Sequence, residues 1–285
     1  MLSLKDIIKI MIEFKKYSGA GNTFLMVNNL ESKINVNGKI VVDLISMEGN
    51  ENFDGVIFVE PSSIADYKMN YYNKDGTGDA LCGNGLRCTA RYIRDEKICD
   101  NDIVLVEGVG KIFDCRFTKD GEISVGFPPP DKVKFNFKLK VHFAEWWQLV
   151  SASYVDVGSP HVIVFIDDIE KPRVSGLDEI LIDEWGRNLR MHKDFMPEGA
   201  NAHFVRVVDA EKGEMEIRSF ERGVEGETMA CGTGSLSSAV AAYAVKGVKL
   251  PVKLKTRSGE VLTVEFSVVE NMIRSLRLKG KAERI

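Results

Sequence analysis

Short apolar runs separated by glycine- and charge-rich turns dominate the chain, and helical spacing of apolar residues takes over at only a few places. Residues 12–28, IEFKKYSGAGNTFLMVN, read as two short strands around a glycine-rich corner. DGVIFVE (54–60) and YKMNYYN (67–73) follow as strands, the second alternating apolar and polar positions. The pattern then predicts a helix over 83–96 and a strand meander over 102–127, with a hairpin turn at 119–121. FPPPDK (127–132) stops the pattern, because proline cannot feed a strand ladder. A domain boundary is placed there, giving lobes of 1–128 and 129–273.

The second half repeats the plan. Strands are expected within 146–168, 200–209 and 213–223, and a helical stretch over 176–195. A second helix over 232–246 ends at Gly247, and 252–270 forms a hairpin turning at Ser258–Gly259. The last strand, from 272, has no evident partner in this half, so 274–285 are expected to return to the first lobe. Strands, a cysteine-headed helix and more strands thus occur twice. An α+β fold of two similar lobes with one helix each follows, and a site built from matching elements would lie in the cleft between them.

Composition narrows the partners more than the fold. Forty-four per cent apolar and 28% charged residues suit an ordinary globular protein. A net charge of −4 argues against nucleic acid and acidic membranes as partners. No apolar run is long enough to span a bilayer, and Lys5, Asp6 and Lys9 interrupt the opening segment as a secretory signal. Five cysteines, an odd number, suggest reduced thiols in the cytoplasm rather than a disulfide framework.

Two stretches carry candidate chemistry: ALCGNGLRCTARYI (80–93) and ACGTGSLSSAVAAY (230–243). Each puts a cysteine, Cys82 or Cys231, at the head of a predicted helix. Unpaired N–H groups and partial positive charge at a helix start stabilise a thiolate there. Gly83 and Gly85, and again Gly232 and Gly234, let backbone donors approach a carboxylate. Either cysteine alone is as readily a small buried residue. The matched pair is what packing does not demand. Two thiols on one small molecule could remove a proton from a carbon and return one to the other face, with no cofactor. The six-residue cysteine spacing in CGNGLRC, without CxxC or HxxxH, does not suit a metal.

In order, GAGNTF (19–24), NKDGTGDALCGNGLRC (73–88), GSPHVIVF (158–165), GANAHFV (199–205) and ERGVEGETMACGTG (221–234) resemble the diaminopimelate epimerases. These belong to the cofactor-independent amino-acid racemases and epimerases. The resemblance implies two pseudo-symmetric lobes, each a mostly antiparallel strand barrel around a central helix. It also implies interconversion of LL- and meso-diaminopimelate for lysine biosynthesis, with no metal and a homodimeric assembly. Cys82 and Cys231 match the family's acid/base pair. His161 matches a histidine serving the first thiol, and Glu221 a glutamate serving the second. Asn22, Asn73, Asn201 and Arg222 match the side chains holding the substrate's far end, while Gly83, Asn84, Gly232 and Thr233 match the turns holding its reacting end. Ser159 stands where the family usually has a substrate-contacting asparagine, and Thr23 where it has an acid. The segment from Glu221 to Cys231 is one residue longer than usual, and residues 1–10 read as an extension.

Cys88, Cys99 and Cys115 are expected to be structural, and His142, His192 and His203 have no partner evident from the sequence. Trp146 and Trp147 read as lobe-packing surface. Two other functions compete: the same chemistry on a different amino acid, and a redox sensor in which Cys82 and Cys231 form a reversible disulfide.

Overall fold

A computed structural model of the chain describes residues 12–78 and 81–285; the expectation for residues 1–10 lies outside them. The chain forms two compact units, 1–126 with 280–285, and 127–279.

In the N-terminal unit, Phe14–Gly19 and Asn22–Asn28 form an antiparallel hairpin. Its two-residue turn takes Ala20 and Gly21 to φ 55° and 88°, the twist that a tight hairpin needs. The chain then crosses through helix α1 (Gly38–Ile45) to Gly55–Glu60, which runs parallel to Asn22–Asn28. Tyr67–Asn73 returns antiparallel, and helix α2 (Gly83–Asp95) follows. Ile103–Gly108 emerges parallel to Tyr67–Asn73, and Lys111–Phe117 and Ile123–Gly126 add antiparallel strands. Glu283–Arg284 closes on Phe14–Gly19. Helix α2 packs against each of these strands, so it is buried along most of its length rather than on one stripe.

The C-terminal unit repeats this order. Trp146–Asp156 and Pro160–Phe165 pair antiparallel, and Asn201–Asp209 runs parallel after helix α3 (Ile182–Arg190). Glu214–Glu221 returns antiparallel before helix α4 (Gly232–Lys246). Val252–Lys255 is then parallel to Glu214–Glu221, and Val261–Val269 and Met272–Gly280 add antiparallel strands. Apart from the added strands Lys132–Phe143 and Gly226–Thr228, strand directions and helix positions follow those of the first unit. In α4 the small residues Ser235, Ser237, Ser238, Ala239, Ala241 and Ala242 are all buried, which allows close approach of surrounding strands. Gly247, at φ 67°, ends α4 as the sequence pattern predicts.

Three expectations need correction. Each unit has a second helix, at matching crossovers. In α1, Asn37 caps the start by accepting from the Ile40 N–H, and Val41, Leu44 and Ile45 bury one face against Leu25, Val27, Val56 and Phe58. In α3, within the expected helical stretch, Trp185 stacks on Phe143 at 4.8 Å. Second, Lys132–Phe143 is a strand paired with Trp146–Asp156, with a bulge at Asn136. Its alternating Val133, Phe135, Phe137, Leu139, Val141 and Phe143 carry the period of two directly. Third, Met272–Gly280 does have a partner in its own half, because Glu270 and Asn271, both at positive φ, make a tight hairpin with Val261–Val269. Residues 280–285 belong to the first unit, with Glu283–Arg284 beside Phe14–Gly19. Among the described residues, no helix is long and apolar enough to cross a membrane.

Candidate active site

The repeated strand order delivers the candidate residues to one end of each central helix. Strands two and three of the repeat are parallel and start at that end, strand four finishes there, and the chain then enters the helix. Asn22 opens the second strand of the first unit, and Asn73 closes its fourth. In the second unit, His161 and Asn201 lie side by side in register near the strand starts, and Glu221 ends the fourth strand.

Both helices begin on the cysteine itself. Cys82 and Cys231 are the N-caps of α2 and α4, with nearly equal backbone angles (φ −124°, ψ 106° and φ −111°, ψ 109°). Each sulfur accepts a hydrogen bond from the third helical N–H, Gly85 or Gly234, at 3.3 Å. A sulfur thus occupies the place usually taken by a serine or aspartate oxygen. The glycines are helical residues rather than a flexible turn preceding the helix. Gly234 is required by contact: a Cβ there would lie 2.2 Å from the His203 ring.

Around Cys82, Asn84 in the first turn donates to the Asn22 side-chain oxygen and accepts from Arg87 at 2.7 Å. Asp54 holds the other side of this group, accepting from the Thr23 backbone at 2.8 Å and from the Asn22 amide at 3.3 Å. Thr23 therefore sits beside a carboxylate supplied by the residue that precedes the neighbouring strand. The Asn73 side chain is bound by the Tyr71 hydroxyl at 2.8 Å and donates to Thr77 at 3.0 Å. Cys82 is half-buried, whereas Cys88 and Cys115 are fully buried.

Around Cys231 the environment is drier. Burial raises its thiol well above the ordinary range, and the adjacent Glu221 carboxylate, which also takes a hydrogen bond from the thiol, adds to the effect. The Gly234 N–H and the Thr233 hydroxyl pull the other way. Thr228 donates its hydroxyl to Glu221 from the short strand Gly226–Thr228, so the longer Glu221–Cys231 segment folds as a hairpin that keeps Glu221 beside the thiol. Arg218 clamps this hairpin, pairing with Glu227 at 2.6 and 2.8 Å and donating to the Leu177 and Ile180 carbonyls. Arg218→Met leaves Glu227 and two carbonyls without that partner. It is expected to cost about 3 kcal/mol, read as a lower urea midpoint.

The resemblance assigns His161 to the first thiol; in its own unit the ring lies in a cluster with Cys231. Nitrogens of His161 and His203 and the Cys231 sulfur lie within 4.8 Å of one another. His161 Nδ1 meets His203 Nε2 at 2.8 Å, His161 Nε2 meets Ser159 Oγ at 2.9 Å, and His203 Nδ1 meets Ser219 Oγ at 2.9 Å. All four ring nitrogens are engaged in hydrogen bonds, so the cluster suits a proton-holding chain better than a cation. Burial holds both rings neutral: His203 is lowered to about 3, and His161 lies well below the usual imidazole range, where the neighbouring His203 ring and the Arg222 charge also oppose a proton. Asn201 donates to the Pro160 carbonyl at 3.0 Å and accepts from the Arg222 backbone at 2.8 Å, tying three candidate segments together.

Sequence reasoning missed His203, Asp54 and Arg87. Strand alternation offers a signal for His203: two residues after Asn201, it shares that residue's face, next to His161. The remaining histidines do have partners. His192 caps a short 3₁₀ turn and meets the Lys140 carbonyl, and His142 packs on Trp147. Trp146 and Trp147 lie at a hairpin end, largely exposed.

The diaminopimelate epimerase family model matches residues 14–133 and 153–284. The chain is similar to a diaminopimelate epimerase of Aquifex aeolicus, 33% identical over 268 residues covering 90% of each chain. It is similar to another of Chlorobaculum tepidum, 29% identical over 94% of this chain and 97% of that one. Among solved structures, a PhzF-family phenazine biosynthesis protein of Bacillus anthracis shares the fold, with a TM-score of 0.67 at 18% identity over 96% of this chain and 97% of that one. The family match spans both cysteine-capped helices and most of the chain around them, and on that ground the chain belongs to the diaminopimelate epimerase family.

Proposed function

We propose that the protein is an isomerase that interconverts LL- and meso-diaminopimelate by proton transfer between two thiols and one α-carbon. The observation that carries this reading is the matched pair of cysteine N-caps at equivalent points of a repeated fold. One thiolate removes the α-proton, and the other thiol donates its own to the opposite face. Charge that builds on the substrate carboxylate is held by N–H groups of the helix starts, where the helix dipoles favour it. Cys231, held protonated by burial and Glu221, is the donor in the resting enzyme, and Cys82 is the acceptor. Turnover leaves the roles exchanged, so the reverse reaction uses the same groups.

Asn22, Asn73, Asn201 and Arg222 take the substrate's far amino-acid end, and Asn84 and Thr233 the reacting end. No cofactor enters any step. The same reading makes the enzyme a cytoplasmic homodimer, and a sedimentation mass of two chains tests the assembly. A different amino acid as substrate is the second reading. It is favoured by Ser159, whose hydroxyl is turned to His161 and Thr233 rather than offered as an amide would be. Incubation in deuterated water with LL-diaminopimelate and a panel of L-amino acids separates the two. Solvent deuterium at the α-carbon of diaminopimelate is expected; deuterium only in another amino acid would give the second reading.

A further inference from the structure

Beyond the two thiols, the second unit contains a continuous hydrogen-bonded chain: Ser219, His203, His161, Ser159, Thr233, Cys231. Its links are 2.9, 2.8, 2.9, 3.5 and 3.8 Å, the last to sulfur. All six residues are buried or half-buried. We propose that His203 is a positioning residue that fixes the tautomer of His161 and thereby aims the Thr233 hydroxyl at the Cys231 sulfur. This rests on the reading of Cys231 as an acid/base group.

The direction of the chain follows from its ends. The Cys231 proton is engaged by Glu221, so the sulfur offers Thr233 only lone pairs, and Thr233 must donate. Thr233 is then free to accept from Ser159, as the geometry has it. Ser159, its proton committed, accepts from His161 Nε2–H. The neutral His161 ring therefore has a bare Nδ1, which accepts a hydrogen bond from His203 Nε2–H, and the bare His203 Nδ1 accepts from the Ser219 hydroxyl. Each group is neutral and each donates toward the sulfur. When Cys231 gives up its proton, a hydroxyl donor already stands in place for the thiolate, and neither ring has to be protonated in a dry site. The α4 backbone at Gly234 packs against the His203 ring and holds it in line with both partners.

Histidine-selective ¹⁵N NMR of the full chain, with kinetics of His203→Leu and His203→Gln, tests this. The wild type is expected to show both His161 and His203 as neutral Nε2–H tautomers. His203→Leu is expected to give His161 a mixture of tautomers and to lower kcat about tenfold with little change in KM. His203→Gln, whose amide donates from the place of Nε2, is expected to restore both the tautomer and most of kcat. A wild-type His161 found as Nδ1–H overturns the proposal, as does an unchanged His161 tautomer in His203→Leu. The failures are separable. An Nε2–H chain in a protein whose Cys231→Ala variant keeps full activity would remove the acid/base reading and leave the tautomer assignment intact. Full thiol-dependent turnover with the opposite tautomer would remove this inference alone.

Discussion

Replacing Cys231 by alanine is expected to lower the epimerisation rate by about 10²–10⁴-fold, the usual contribution of a positioned proton donor or acceptor. The fold should survive the change, because alanine loses one N-cap acceptor, worth about 1 kcal/mol, while the helix it starts stays buried among strands. Cys82→Ala should lose activity by a similar factor, since inversion needs a group on each face and neither thiol can serve both. The variants should still differ in one respect. With Cys231 present, its thiol keeps its proton through neutral pH, because burial and Glu221 both oppose the thiolate. Steady-state rates and thermal melts of both variants check this. A Cys231→Ala enzyme with more than a tenth of wild-type activity would refute the role of that thiol. Equal loss of both Cys variants under strong reductant also counts against the redox-sensor reading, which requires no turnover in the reduced state.

The second large effect concerns stability in acid. His161 and His203 are both buried and neutral, with folded values below the ordinary 6.5. A depressed value means the unfolded chain binds protons that the folded one refuses. Stability from these rings is therefore full above pH 6.5 and falls as pH drops, for His203 down to about 3. The slope is about 1.4 kcal/mol per pH unit for each ring, so the pair is expected to cost about 4 kcal/mol between pH 7 and 5. That is a large part of an ordinary domain's margin. The charges facing the pair act in the same direction or stay constant: Arg222 disfavours protonation of His161 and does not titrate in this range. Urea midpoints at both pH values measure the loss, and His203→Gln should remove about half of it. A midpoint that does not move between pH 7 and 5 would contradict the assignment of both rings as neutral.

How much of this was legible in the sequence differs by element. The two cysteine-headed helices stand out because Cys-Gly-x-Gly recurs half a chain apart before helical spacing, and both thiols do cap helices. Strands such as Gly55–Glu60 and Asn201–Asp209 show in their apolar runs. Helix α1 was not evident, since eight residues give barely two turns of period and its apolar face is completed only by Leu25 and Val56 from distant strands. The pairing of Met272–Gly280 with Val261–Val269 is not evident in the sequence, because the Glu270–Asn271 turn carries no glycine to announce its positive φ. Around the two helix starts, Cys82, Asn22 and Asn84 in one unit and Cys231, His161 and Glu221 in the other are each legible from motifs. Their grouping is not, because it depends on which strands are parallel. His203 is the clearest case: a histidine in a strand looks like any packed residue until register sets it against His161.

The fate of the α-hydrogen tests the two-thiol account most directly. LL-diaminopimelate is incubated with the enzyme in deuterated water, and deuterium is located in substrate and product during the first few per cent of reaction. Two groups on opposite faces predict a meso product carrying one solvent deuterium at the inverted carbon, while the remaining LL substrate carries none. A product that retains the substrate's own hydrogen, returned by a single group, would contradict it.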